Sequence, residues 1–195
     1  MRYSELIELG NRLFFTSEDV AHLFGIEKTS AQVFCSRQVK KGILVRLKKD
    51  FYVLTSRWSH YEVADFFRLA NYLQVPSYIS CAGALSFHGV STQVQRDWFE
   101  SVSLKRTARY AVQGKEFLFF ELKRAFYFGF EKREGIFIAL KEKALVDACH
   151  LQAFGRYSLD TDALDLERFD RKVLEEAMAP FPARTRNLVR RICRI

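Results

Sequence analysis

A chain of 195 residues with 49% apolar content has room for one substantial domain or for a small module and a medium one, and burial on that scale can drive folding, so disorder is not the default reading. No apolar run approaches the ~20 residues that span a bilayer, and Cys35, Cys81, Cys149 and Cys193 lie too far apart in sequence to seed a CxxC zinc site. The net charge of +8 calls for a polyanionic partner, and it is concentrated: residues 28–57 carry eight Lys/Arg against one Asp.

The polar, acidic start of the chain is read as no secretory signal, and the protein as cytoplasmic with reduced thiols. Leu6, Ile7, Leu9 and Leu13 predict a short helix over residues 4–13. Thr16 or Ser17 caps the next helix, whose first turn carries Glu18 and Asp19 and whose end is marked by Gly25. A third helix, roughly 30–41, is expected to start at a Thr29 or Ser30 cap and close at Gly42. Residues 43–47 and 51–54 read as strands joined by a Lys48-Lys49-Asp50 turn. Helix, helix, turn, helix, then a basic hairpin is the order of a winged helix-turn-helix.

Residues 59–74 pattern as an amphipathic helix stopped by Pro76. This places a DNA-binding module at 1–57, a connecting helix at 58–75 and an α+β domain with a mainly antiparallel sheet at 76–195. In that domain a helix is expected over 80–88. Strands follow at 98–104, 117–122, 125–130 and 135–140, then helices at 141–153, 167–178 and 183–194.

The third helix carries the chemistry. A recognition helix buries one face and shows hydrogen-bonding and cationic groups on the other, because bases are read by hydrogen bonds and phosphates by charge. Ala31, Phe34, Cys35 and Val39 fall on the inner face. Gln32 and Arg37, with Ser36 beside them, are the candidate readers of base edges, since Gln pairs with adenine and Arg with guanine. Thr29, Ser30, Lys40 and Lys41 suit phosphate, and Arg46, Lys48 and Lys49 are the contacts of the wing. Lys105, Arg106 and Arg109 form a basic loop that is a candidate secondary contact. The C-terminal run holds five arginines, among them Arg190 and Arg191; a helix packed by Leu188, Ile192 and Ile195 with its arginines in water is favoured over a second nucleic-acid contact.

Asp97 with Glu121-Leu122-Lys123 has the composition of a Mg²⁺-dependent nuclease site, but so short a match is better read as a salt-paired strand face. His22, His60, His88 and His150 show no ligand spacing, and there is no Walker loop or GxGxxG. No metal, cofactor or catalytic residue is expected.

Two stretches carry a family resemblance. Ser17–Ala21 with Gly25-Ile26, then Ser36–Leu54, resembles the N-terminal domain of AbiEi-type antitoxins, the transcriptional regulators of abortive-infection toxin–antitoxin systems. Pro76–Val90 and Ile138–Asp147 are similar to the start and a later signature of that family's effector domain. The chain departs from the pattern at Gln38, where the family is apolar, and at Asp50, where it has Gly. The resemblance implies a repressor that binds an inverted repeat in its own promoter and neutralises a nucleotidyltransferase-like toxin. The alternative is a stand-alone regulator whose second domain binds a ligand or dimerises.

Overall fold

The computed structural model of the chain describes residues 3–93 and 95–195. The class is α+β, and the chain divides into two compact units. One runs to Leu69 and includes Tyr110–Lys115; the other holds Ala70–Arg109 and Glu116–Ile195.

The first unit opens with α1 (Tyr3–Leu9), α2 (Ser17–Phe24) and α3 (Lys28–Lys40). The α1 helix ends before the predicted Leu13, because the chain must turn at Gly10. A Cβ there would stand 2.6 Å from Leu54 Cδ1 and 2.9 Å from the Ile7 carbonyl. Thr16 starts α2 with a capping box: its Oγ1 accepts from Asp19 N–H (3.3 Å), and its own N–H donates to Asp19 Oδ2 (2.8 Å). Gly25 ends α2 at φ 60°, where its lack of a Cβ avoids strain.

Helix α3 starts earlier than its sequence suggests. Glu27 is the N-cap and makes no side-chain cap bond, so Thr29 and Ser30 lie exposed inside the first turn and cap nothing. Strands β1 (Leu44–Lys48) and β2 (Phe51–Leu54) pair antiparallel, with an irregularity between Arg46 and Lys48. A third strand position is added by Phe15, which exchanges backbone hydrogen bonds with Tyr52 at 2.9 and 2.8 Å. Leu6, Phe15, Val20, Phe24, Ala31, Cys35, Leu44 and Tyr52 close the core between the helices and the hairpin. The predicted 59–74 helix starts later, as α5 (Val63–Leu73), and a separate short helix, α4 (Thr55–Trp58), precedes it. Tyr61 sits in the break, held by its hydroxyl donating to the Leu13 carbonyl (2.6 Å).

The rest of the chain forms β3 (Ser77–Ile79), α6 (Cys81–Phe87), β4 (Trp98–Ser103), β5 (Ala108–Val112), β6 (Lys115–Glu121), β7 (Phe130–Arg133), β8 (Ile136–Ala139), α7 (Lys141–Ala153), α8 (Arg171–Met178) and α9 (Ala183–Cys193), all in the second unit except Tyr110–Val112 of β5 and Lys115 of β6. The sheet order is β5-β6-β4-β3-β8-β7. It is a mixed sheet, in place of the mainly antiparallel one expected: β3/β4 and β7/β8 run antiparallel, β4/β6 and β3/β8 parallel. Of the predicted 125–130 strand, residues 125 and 126 belong to a 3-10 turn that begins at Arg124, and the strand starts at Phe130. Strands β3 and β5 had no counterpart in the sequence reading, and β5 takes up Arg109, so the expected basic loop is shorter. Helix α7 is buried on nearly every side by α6, α8 and α9.

Candidate nucleic-acid interface

The inner face of α3 is fixed by Ala31 and Cys35, both fully buried, and by Phe34, whose ring meets Phe24 edge-on at 5.2 Å. Burial also pushes the Cys35 thiol up to about 11, so it stays a neutral packing group. With that face anchored, helical geometry turns Thr29, Gln32, Ser36, Arg37 and Lys40 outward, and all five are exposed, as are Ser30 and Lys41.

Two neighbouring acids of α2 are paired with other cations. Asp19 pairs with Arg12, and Glu18 with Lys28 at 2.5 Å, which neutralises the N-terminal end of α3. Among the described residues no carboxylate pairs with Arg37, Lys40 or Lys41, so the C-terminal half of the helix keeps its positive charge.

Val33 lies on the same exposed face, one turn before Arg37, and is 51% exposed. Its residue type alone points to the core, and its helical position relative to Arg37 is the signal that places it outside. Its methyl groups are of the kind that can meet a thymine methyl beside a hydrogen-bonded base.

The hairpin presents its cations unevenly. Lys49 is exposed in the turn, and Arg46 is exposed on β1 with its Nε donating to the Lys48 carbonyl (3.4 Å). Lys48 is half-buried, its ammonium 4.0 Å above the Phe51 ring, which itself stacks on Phe14 at 4.5 Å. The turn needs a left-handed residue, and Asp50 fills it at φ 62°. Asp50 Oδ1 also accepts from Ser17 N–H at 2.9 Å, which ties the hairpin turn to the first turn of α2. Gln38, the other departure from the family pattern, is half-buried.

The secondary candidates belong to the second unit. Lys105 and Arg106 are exposed, Arg109 pairs with Glu116, and Arg190 pairs with Glu175, while Arg191 is exposed. The nuclease-like residues are not brought together. Trp98 pairs with Glu116 and Ser103 with Glu121, so Asp97 and Glu121 lie at opposite ends of neighbouring strands, about 20 Å apart. Lys123 lies beyond the end of β6. Among the described residues no group of three or more His, Cys, Asp or Glu side chains is placed to hold a metal ion.

A buried polar cluster in the second unit escaped the sequence reading. Asp147 accepts from the Tyr78 hydroxyl (3.0 Å), the Ser80 hydroxyl (2.8 Å) and the Lys143 ammonium. Lys143 also lies within 5.5 Å of the centres of the Tyr78, Phe128 and Phe181 rings. Burial pushes the lysine pKa down and the aspartate pKa up, each opposed by its partner's charge. With side chains at 1% and 0% exposure the pair leaves no room for a substrate, and it acts as an internal strut.

No family model matches the chain, and no curated protein matches it.

Proposed function

We propose that the chain is a sequence-specific DNA-binding transcriptional regulator, and that its first unit works as a winged helix-turn-helix. In this reading α3 enters the major groove, β1 and β2 form the wing, and Phe15 supplies the third strand position against Tyr52. The observation that carries it is the two-sided character of α3: Ala31 and Cys35 sealed in the core, with Gln32, Ser36, Arg37 and Lys40 exposed and unneutralised on the other side. Gln32 and Arg37 read base edges, with Ser36 between them. Thr29, Ser30, Lys40 and Lys41 take phosphates, and Arg46 and Lys49 extend those contacts from the wing. One chain covers one half-site, and two copies cover an inverted repeat.

The resemblance to AbiEi-type antitoxins supports a more specific role. The chain represses its own operon and neutralises a nucleotidyltransferase-like toxin encoded beside it. Growth rescue on co-expression with the neighbouring gene product tests that role, and continued growth arrest refutes it.

The DNA reading is tested by selecting preferred duplexes from a random pool and measuring their binding. Arg37→Ala is expected to weaken the selected duplex by about 1–3 kcal/mol and to relax one base position. Lys49→Ala is expected to weaken all duplexes alike and to reduce the salt slope by about one. Unchanged binding in both variants removes α3 and the hairpin from the interface.

A further inference from the structure

The arginines of α9 fall into two groups. Arg190 is held by Glu175 through two hydrogen bonds, 3.2 and 2.9 Å, and Arg186 donates to the Phe181 carbonyl at 2.8 Å. Among the described residues no carboxylate pairs with Arg184 or Arg191. With Asn187 between them they follow one face of the helix and line a hollow of about 480 Å³, completed by Gln152, Ala153 and Leu188. Among the described residues none that lines this hollow is acidic. The Arg184 guanidinium lies 5.5 Å from the Phe154 ring, a contact that limits its freedom before any ligand arrives. Gln152 is fixed through Oε1, which accepts from Leu159 N–H at 2.8 Å, so the group it has left is a donor. The polar lining is thus two guanidinium groups and two carboxamides.

We propose that this hollow is a binding site for phosphate groups, either those of a free nucleotide or successive phosphates of a nucleic-acid strand. Guanidinium groups match phosphate oxygens with paired donors. The stems of Arg184 and Arg191 leave the helix about 10 Å apart along its axis. A single carboxylate engages one of them; a run of phosphates engages both, with Asn187 donating in between. The proposal stands independently of α3.

The test uses the full-length protein and calorimetric titration with inorganic triphosphate, ATP and a short single-stranded oligonucleotide. Wild type is expected to bind. Arg184→Ala and Arg191→Ala are each expected to weaken binding about tenfold. Arg190→Ala removes the same charge outside the hollow and is expected to change binding by less than about twofold. Binding of triphosphate and ATP as tight as that of the oligonucleotide identifies a free nucleotide as the source. Tighter oligonucleotide binding, with a salt slope reduced in Arg191→Ala, identifies a strand. The proposal is overturned if wild type binds none of the three, or if Arg190→Ala and Arg191→Ala lose equally. It also fails if oligonucleotide binding disappears in Arg37→Ala while surviving in Arg191→Ala, an outcome that leaves the α3 reading intact.

Discussion

An ammonium and a carboxylate withdrawn from water each carry a desolvation penalty of several kcal/mol, which mutual attraction offsets only when the remaining hydrogen bonds are also made. At Asp147 they are made, by Tyr78 and Ser80. Lys143→Met leaves the carboxylate buried without its counter-charge and is expected to destabilise the protein by about 3–5 kcal/mol in denaturant titration. Adding Asp147→Asn, which keeps an acceptor for the two hydroxyls and removes the charge, is expected to recover at least half of that loss. Equal losses in the single and double variants would mean that shape, not charge, sets the requirement. Nothing local in the sequence marks this pair. Lys and Asp four residues apart are an ordinary solvent-facing helix pair, and only the packing of α6, α8 and α9 around α7 places them inside.

Among the elements, the hairpin shows how a departure from a pattern is absorbed. Glycine adopts φ 62° freely, whereas an L-residue pays about 1–2 kcal/mol there. Asp50 compensates with its hydrogen bond to Ser17 N–H. Two variants separate strain from bonding. Asp50→Ala loses the bond and keeps the strain; Asp50→Gly loses the bond and releases the strain. Asp50→Ala is therefore expected to be the less stable by about 1 kcal/mol, read from the denaturation midpoints. Equal stability of the two would show that the turn relaxes away from the left-handed region. The turn itself was legible, because a brief polar run between two β-branched and aromatic runs is a local signal. The bond to Ser17, 33 residues away, was not.

For the molecule as a whole, a buried histidine of the second unit makes stability depend on pH. His150 joins α7 to α9 through the Thr185 hydroxyl (2.9 Å) and packs among Phe126, Phe154 and Phe181. Burial, reinforced by the charges of Arg156, Lys143 and Lys123, pushes its pKa from 6.5 down to about 4. Between those values the unfolded chain binds a proton that the native state does not. Stability therefore rises with pH: this contribution is complete above about 6.5 and is lost as the pH falls toward 4. The Tm of wild type is expected to fall more between about pH 7 and pH 5 than that of His150→Gln. Parallel falls would assign the acid sensitivity to other groups.

The sequence by itself determined what depends on near neighbours. The cap at the start of α2, the Gly25 stop, the basic hairpin, the extent of α7 and the polar face of α3 all follow from spacing within a few residues, where dihedral preference and hydrophobic period act directly. Tertiary structure alone decided the pairing of Phe15 with Tyr52, the mixed strand order, the burial of Lys143 with Asp147, and which arginines of α9 are neutralised. These are choices among partners distant in the chain. They are settled by how the whole apolar surface is buried and how each buried polar group finds a partner, and neither quantity is a property of any single segment.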